Sequence, residues 1–225
     1  MSTWAVLVAA GLGERLGGDR PKAFAGLGER ILLAESLERL EASGWIDAIV
    51  VVVPPDWEEP AILLAEELGA GKLNAAVAGG TTRADSVRAG VAEVADDALV
   101  VLVHDAARPL LPEEVIARVL GGLAEDWDGV VAGLPLADTV KRVDAHGAVA
   151  ETVDRTGLFA IQTPQAFRAS TLRDALLRGG NASDCAGLVE HAGGRVRVVE
   201  GDPRLVKVTT AADLAFVETL LAGER

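Results

Sequence analysis

Short apolar runs alternate with longer amphipathic stretches through the first part of the chain. The continuous apolar runs, which predict buried strands, are Trp4–Ala9, Ile46–Val53, Leu73–Val77, Leu99–Val103 and Gly129–Leu134. Helical spacing of apolar residues predicts helices at Ile31–Ser43, at Asp56–Leu68 with Asp56 as N-cap, at Arg83–Val94, and from Pro112 onward. This alternation is typical of an α/β fold, in which helices cover both faces of a mostly parallel sheet.

The pattern changes after Pro135. Residues 138–155 alternate in the manner of strands around a turn at Asp144–Gly147, which predicts a β-hairpin that projects from the sheet as an arm. Further along the chain, the pattern predicts helices at Ala169–Leu177 and Cys185–Ala192, followed by strands at Arg195–Val199 and Leu205–Val208. A capping box of Thr210 and Asp213 predicts the start of a last helix. Since no linker is visible, we expect one domain over residues 1–225 with the arm at about 136–158.

Composition narrows the possible partners. Lys and Arg total 21 against 34 Asp and Glu, a formal net charge of −13, so the surface repels nucleic acids and anionic membranes. An acidic protein that binds a nucleotide must gather its few cations at one place. Cys185 is the only cysteine, which excludes an intrachain disulfide and agrees with a reducing cytoplasm. The apolar run Trp4–Ala10 is too short for a membrane span and lacks the flanks of a signal peptide, so we expect a soluble, cytoplasmic protein.

Three polar or glycine-rich segments follow predicted strands. They are Ala10–Lys22, Gly79–Ser86 and His104–Pro109. In open parallel sheets, ligands bind beyond the carboxyl ends of the strands. Because all three segments fall at such ends, the sequence predicts one binding site along this edge.

The first segment combines glycines with basic residues. Its glycines let backbone N–H groups approach a phosphate closely, while Arg15, Arg20 and Lys22 can neutralise a triphosphate. A flexible surface turn with solvated basic residues is the alternative. A dinucleotide-binding fingerprint fits poorly because Leu16 stands where the third glycine is required, and the Gly-Lys-Ser/Thr of a P-loop is absent.

The other two segments offer a helix start and a carboxylate. The glycine pair of the second segment permits close backbone approach ahead of a helix; the alternative is a tight turn capped by Thr81 or Thr82. Asp105 follows an apolar strand and could hold a metal bridging phosphates or a ribose hydroxyl; alternatively it pairs with Arg108 to close the turn. We expect His104 to be packed there rather than catalytic.

Lysine use points to a further cation. The chain has four lysines against 17 arginines, and one of them, Lys207, falls in a predicted late strand. Its compact ammonium could follow a shifting phosphate oxygen, and simple surface solvation is the alternative.

Six motifs in chain order resemble those of one enzyme family. The stretch Ala9-Ala10-Gly11-x-Gly13-x-Arg15 with Pro21-Lys22 is similar to the signature of nucleotidyltransferases of GT-A-like fold. The other motifs are Gly79-Gly80-x-x-Arg83-x-x-Ser86-Val87, His104-Asp105-Ala106-Ala107-Arg108-Pro109, Val153-Asp154-Arg155, Thr163-Pro164-Gln165 and Lys207-Val208-Thr209. From Ala5 to about Leu221, the ordered set resembles the 2-C-methyl-D-erythritol 4-phosphate cytidylyltransferase family.

The resemblance implies a fold, a reaction and an assembly. The fold would be a three-layer Rossmann-like (GT-A-like) sheet with a protruding β-hairpin arm. The reaction would join CMP from CTP to 2-C-methyl-D-erythritol 4-phosphate and release pyrophosphate, as a step of the non-mevalonate isoprenoid pathway. The assembly would be a homodimer in which the arm crosses to the second subunit. Magnesium would be held mainly by phosphate oxygens, with Asp105 as a possible ligand.

The resemblance also assigns site residues. Those of the nucleotide would be Ala10, Gly11, Gly13 and Arg15 around the triphosphate, Lys22 at the α-phosphate, Gly80 and Ser86 beside the cytosine, and Asp105 and Ala106 at the sugar. Those of the second substrate would be Thr139, Arg155, Thr163, Asp105, Arg108 and Ser183. Lys207 would approach from the opposite side, so that Arg15, Lys22 and Lys207 are the catalytic candidates.

Two departures from the family pattern leave alternatives open. Ala23 stands where the family often has glutamine, and Ser183-Asp184-Cys185-Ala186-Gly187 replaces a usual Thr-Asp-x-Ala-Ser. The alternatives are a ribitol 5-phosphate cytidylyltransferase, a sugar-1-phosphate nucleotidyltransferase that uses UTP or dTTP, and a nucleotide-binding regulatory module without catalysis. A dehydrogenase is disfavoured by the absence of the complete dinucleotide fingerprint.

Overall fold

The chain forms a layered α/β structure. The computed structural model describes residues 2–13, 16, 20–123, 126–179 and 182–224. Within them, the helices are α1 (Leu32–Ala42), α2 (Glu58–Leu68), α3 (Arg83–Ala92), α4 (Glu113–Gly121), α5 (Ala169–Arg178), α6 (Cys185–His191) and α7 (Ala211–Glu224). The strands are β1 (Thr3–Val8), β2 (Gly26–Leu27), β3 (Arg30–Ile31), β4 (Ala48–Val53), β5 (Leu73–Ala78), β6 (Val100–Asp105), β7 (Gly129–Pro135), β8 (Val140–Val143), β9 (Val149–Val153), β10 (Phe159–Arg168) and β11 (Val196–Glu200).

Seven strands form the central sheet, in the order β11-β7-β10-β6-β1-β4-β5. All neighbouring pairs are parallel except those of β10, which runs antiparallel to both β6 and β7. The prediction of a mostly parallel sheet is therefore confirmed. The apolar pattern does not predict β10, because Gln162-Thr163-Pro164-Gln165 interrupts its apolar run and proline in a strand is usually confined to edges or bulges.

Helices cover both faces of the sheet, as the continuous apolar strands predicted. On β1, Ala5 and Leu7 belong to a core cluster that also contains Leu33 and Leu37 of α1, whereas Val6 packs on the opposite face. The first face is covered by α1, α2 and α4, and the second by α3, α5 and α6. Because successive strand side chains point to opposite faces, a strand buried on both sides needs apolar residues at every position.

The predicted hairpin is present as a separate two-stranded sheet of β8 and β9. The Asp144 carboxylate closes its turn by accepting hydrogen bonds from the backbone N–H groups of His146 and Ala148, each at 2.9 Å. Val143 and Val149 are 53% and 60% exposed. In a single chain, the arm therefore leaves apolar side chains facing solvent.

Two predictions about local structure are wrong. Residues 205–208 do not form a strand; they lie between β11 and α7 in a segment without regular secondary structure, and this segment carries Lys207. Asp56 is not the N-cap of α2, because the helix begins at Glu58 with Trp57 at the cap and Asp56 has a φ of 70°.

The capping box before the last helix is confirmed, since the Asp213 carboxylate accepts from the Thr210 N–H and the Thr210 hydroxyl accepts from the Asp213 N–H. Among the helices of the described residues, none has the length and apolarity to span a membrane.

Candidate functional site

A cleft of about 710 Å³ opens at the carboxyl ends of the parallel strands. It lies around β1, whose two neighbours are β4 and β6. The chain leaves β1 toward β4 on one side and later returns to β6 on the other, and such a reversal of strand order creates a crevice for ligands. The three predicted segments all contribute to its walls, together with Pro54, Pro55, Lys207 and Thr209.

The glycine-rich loop brings its backbone against Lys22. Gly13 has a φ of +74°, and a side chain there would come within 2.5 Å of the Lys22 Cβ. The Lys22 N–H reaches the Gly11 carbonyl at 3.3 Å, which closes the loop. Only glycine satisfies both the positive φ and this close approach, so Gly13 is required by the loop geometry itself.

The three basic residues predicted to neutralise a triphosphate at this loop have different outcomes. Lys22 begins a short 3₁₀ helix, Lys22–Phe24, and lines the cleft together with Ala10, Gly11 and Gly13. Arg15 lies outside the described residues. Arg20 is exposed and is not among the cleft residues.

The second segment places the start of α3 at the cleft. Thr82 is the N-cap and forms a capping box with Asp85, in which the Thr82 hydroxyl accepts from the Asp85 N–H at 3.1 Å. The Ser86 hydroxyl donates to the Thr82 carbonyl at 3.0 Å, and Ser86 is buried although it lines the cleft beside Gly80. The tight capped turn and the cleft wall are therefore the same structure rather than alternatives.

Asp105 is the centre of an ion-pair cluster at the end of β6. Its Oδ1 accepts from Arg83 Nη2 at 2.9 Å, and its Oδ2 accepts from Lys207 Nζ at 2.7 Å. Burial of Asp105 favours its neutral form, but Arg83 and Lys207 together outweigh burial and hold its pKa well below the usual range. These pairs, rather than one with Arg108, neutralise the carboxylate; the Arg108 guanidinium donates to the Leu205 carbonyl.

Arg83 is a basic residue of the cleft that was not among the predicted site residues. It lies at the first position of α3, and its Nη1 contacts the Sγ of Cys185 at 3.5 Å. Burial raises the pKa of the Cys185 thiol to about 11, so this partner is neutral and Arg83 depends on Asp105 for its counter-charge. The arginine was present in the second motif, but the pattern of one sequence does not show which basic residue faces the cleft.

A hydrogen-bonded chain beneath the cleft holds the Asp105 backbone. Thr163 Oγ1 accepts from the Asp105 N–H at 3.1 Å and contacts His104 Nδ1 at 3.1 Å, while His104 Nε2 contacts the Arg108 carbonyl at 3.0 Å. Because a carbonyl only accepts, Nε2 carries the proton, and Nδ1 accepts from the Thr163 hydroxyl. Burial lowers the pKa of His104 to about 4, which keeps the imidazole neutral. His104 is packed, as expected, and it also orients its neighbours.

This neutral histidine predicts an acid-sensitive stability. The imidazole titrates at 6.5 when unperturbed and at about 4 in the fold, so the unfolded chain binds the extra proton between these values. The contribution of the neutral His104 to stability is therefore fully present above about pH 6.5 and decreases as the pH falls toward about 4. We expect the free energy of unfolding, measured with urea, to fall when the pH is lowered from about 7.5 to about 5. The fall should be on the order of 2 kcal/mol larger for the wild type than for His104→Gln. His146→Gln, at the exposed arm turn, should keep the wild-type dependence of stability on pH. An equal pH dependence for His104→Gln and the wild type would contradict the assignment of His104 as a neutral, buried imidazole.

Of the six residues predicted for the second substrate, Asp105 lines this cleft and the other five do not. Thr139 and Arg155 are exposed on and beside the arm, and Arg155 Nη1 donates to the Leu136 carbonyl at 2.6 Å. Ser183 is exposed in the turn before α6, whereas Thr163 is 4% exposed beneath Asp105. Arg108 is partly buried behind the cleft. Their roles in substrate binding stay predictions.

The described side chains offer few ligands to a metal ion. Within the residues that the structure describes, no group of three or more His, Cys, Asp or Glu side chains could hold an ion. Both oxygens of Asp105 already accept from cations, so a metal ligated there would compete with Arg83 and Lys207 for the carboxylate. The cleft instead offers cations and close backbone approach, which suit an anion.

Comparison with known proteins points to one family. A profile of the 2-C-methyl-D-erythritol 4-phosphate cytidylyltransferase family matches residues 3–223. A relative of that name from Nocardia farcinica is 47% identical over 220 residues, which are 98% of this chain and 94% of the relative. Another from Saccharopolyspora erythraea is 45% identical and covers 99% of this chain and all of the relative.

Solved structures agree with the sequence comparison. A 4-diphosphocytidyl-2C-methyl-D-erythritol synthase from Anaerococcus prevotii has a TM-score of 0.86 at 28% identity, covering 98% of this chain and 96% of that one. A 2-C-methyl-D-erythritol 4-phosphate cytidylyltransferase from Thermus thermophilus has a TM-score of 0.79 at 33% identity, covering 96% and 98%. Both resemble this chain over nearly its whole length.

Proposed function

The chain belongs to the 2-C-methyl-D-erythritol 4-phosphate cytidylyltransferase family, and we propose that the cleft around Asp105 is where it uses CTP. As a member, it is a nucleotidyltransferase that forms 4-diphosphocytidyl-2-C-methyl-D-erythritol in the non-mevalonate isoprenoid pathway. The observation that supports this site is the meeting of Lys22 and Lys207, far apart in the chain, in one cleft of a protein whose net charge is −13. Scarce positive charge gathered at strand ends suits a triphosphate.

The chemistry follows from the charges of the substrates. A phosphate oxygen of 2-C-methyl-D-erythritol 4-phosphate attacks the α-phosphorus of CTP in line. The new phosphorus–oxygen bond forms as the bond to the bridging oxygen of the β-phosphate breaks, and pyrophosphate leaves. Because the attacking phosphate is already an anion, no strong general base is required. The protein has to align the reactants and neutralise charge at the five-coordinate phosphorus.

Each group in the cleft has a proposed task. Lys22, held against the glycine loop, neutralises the α-phosphate, and Lys207 approaches from the side of Asp105. Gly80 and Ser86 contact the base, while Asp105 and Ala106 contact the sugar. Ala10, Gly11 and Gly13 supply the loop that approaches the triphosphate. The role of Arg15 rests on the family resemblance alone.

Magnesium would enter with the nucleotide. We propose that phosphate oxygens supply most of its ligands, because both oxygens of Asp105 are paired with cations. When bound, the ion would neutralise the departing pyrophosphate. The residues of the chain would then orient the complex through the glycine loop and the two lysines.

A homodimer would complete the site. Thr139 and Arg155 lie outside the cleft of their own chain, and Val143 and Val149 of the arm are exposed. We propose that the arm crosses to a second copy, where Arg155, with Thr163 and Arg108 nearby, binds the substrate phosphate. Sedimentation equilibrium measures the assembly, and a monomer at micromolar concentration would contradict it. The cytoplasm is the proposed location, in keeping with the free thiol of Cys185.

Pyrophosphate release tests the function directly. The protein is mixed with CTP and magnesium and then with either 2-C-methyl-D-erythritol 4-phosphate or ribitol 5-phosphate. We expect turnover with the first polyol phosphate and CTP, and little with ribitol 5-phosphate or when UTP replaces CTP. Faster turnover with ribitol 5-phosphate would favour that cytidylyltransferase instead. CTP binding by calorimetry without pyrophosphate release would favour a regulatory module.

A further inference from the structure

A bulge in β10 lies directly behind the ion-pair cluster. Ile161 pairs with Gly133 of β7 and Gln165 pairs with Val131, so residues 162–164 oppose Ala132 alone. Bulges redirect side chains and are frequent next to active sites. Here the redirected side chains are those of Gln162 and Thr163. Thr163 accepts from the Asp105 N–H, whereas Gln162 contacts a different segment of the chain.

Gln162 takes the place of a strand partner for the segment that carries Lys207. Its Nε2 donates to the Asp202 carbonyl at 3.0 Å, and its Oε1 accepts from the Asp202 N–H at 3.1 Å. Gln162 is 7% exposed, and a Cβ on Gly201 would overlap its Oε1. A primary amide thus makes the pair of hydrogen bonds that a neighbouring backbone makes in a sheet.

The segment from Gly201 to Val208 has no regular secondary structure, so individual hydrogen bonds of this kind hold it in place. Gly201 N–H donates to the Gly133 carbonyl at 2.9 Å, and Val208 N–H donates to the Ala107 carbonyl at 2.8 Å. Leu205 and Val208 are fully buried. Lys207 lies between these two anchors, with 41% of its side chain exposed toward the cleft and its Nζ on Asp105.

We propose that Gln162 is a positioning residue for Lys207. The bulge of β10 orients both members of the Asp105–Lys207 pair, through Thr163 on one side and Gln162 on the other. Loss of the Gln162 amide frees the backbone at Asp202 and lets Lys207 leave the position it needs in the transition state. This inference rests on the proposed role of Lys207, and the experiment below tests the two separately.

The experiment compares single and double variants in steady-state turnover. Gln162→Met keeps the length of the side chain and removes both hydrogen bonds. We expect kcat to fall about 10-fold while the KM for CTP changes less than about 2-fold, since Lys207 is proposed to act in the transition state. Ser43→Ala is the control, because it also removes two side-chain hydrogen bonds of a buried residue, away from the cleft. It should lower the melting temperature without lowering kcat.

The Lys207→Ala background separates positioning from general stability. If Gln162 acts through Lys207, Gln162→Met should change kcat less than about 2-fold in that background, because the two effects are not additive. Equal losses in both backgrounds, or no loss in the wild type, would overturn the inference. Unchanged turnover of Lys207→Ala alone would instead contradict the proposed function of that lysine. If Gln162→Met does not fold, Gly201→Ala displaces the same amide and should give the same non-additivity.

Discussion

Replacing Lys22 with alanine is expected to reduce kcat roughly 100-fold while the fold persists. Loss of one preorganised group that stabilises transition-state charge costs about 3 kcal/mol, which corresponds to that factor. The side chain lines the cleft, and backbone hydrogen bonds of the glycine loop and of the 3₁₀ helix hold the backbone around it. Steady-state pyrophosphate release gives kcat, and circular dichroism with thermal melting checks the fold.

Lys72 offers a matched control for this substitution. Its ammonium donates to the Ser43 carbonyl at 2.7 Å, away from the cleft. Lys72→Ala should keep its turnover, although it removes the same charge from the same acidic protein. Near-wild-type turnover of Lys22→Ala would contradict the role proposed for it.

Lys22→Ala also tests whether the site is shared between subunits. In the proposed homodimer, co-expression with Arg155→Ala would give mixed dimers that each have one intact composite site and one doubly defective site. Random mixing should restore about a quarter of the wild-type rate, because half of the dimers are mixed and half of their sites are intact. If the mixture is no more active than the separate variants, then Lys22 and Arg155 do not meet across an interface.

Asp105→Asn is expected to reduce both stability and turnover. The substitution leaves Arg83 and Lys207 without the carboxylate that now pairs with both, and breaking a buried ion pair costs about 3 kcal/mol or more. We expect a loss of stability at the lower end of that range, because 41% of the Lys207 side chain is exposed to solvent. With both cations displaced, kcat should fall at least roughly 100-fold. Urea unfolding and pyrophosphate release measure the two effects.

The stabilisation by Asp105 has a defined pH dependence. Its pKa is depressed on folding, so the contribution is complete above the ordinary carboxyl pKa of about 4 and is lost as the pH falls below it. Wild type and variant should therefore converge in stability under acid conditions. Asp128→Asn is the control, since Asp128 accepts from the Arg195 N–H at 2.8 Å outside the cleft. Equal turnover of Asp105→Asn and Asp128→Asn would contradict the central place of Asp105.

Much of the fold follows from local patterns because local forces produce it. The parallel strands could be predicted since both faces are buried, which requires apolar residues at every position, as Ala5, Val6 and Leu7 show. The last helix could be predicted since Thr210 and Asp213 satisfy its first N–H groups within a few residues. β10 was missed because its bulge is stabilised by contacts with Asp105 and Asp202, which lie about 40 or more residues away.

The candidate site, like the fold, could be predicted from the sequence only in part. The sequence alone determined that glycine-rich and polar segments follow buried strands, and the parallel arrangement then brings Gly13, Lys22, Ser86 and Asp105 to one edge. Only the tertiary structure decided that Arg83 rather than Arg108 pairs with Asp105, and that Lys207 reaches it from a segment without regular structure. The physical reason is that periodicity records burial and local hydrogen bonding, whereas the partner of a charge depends on the path of distant chain segments through space.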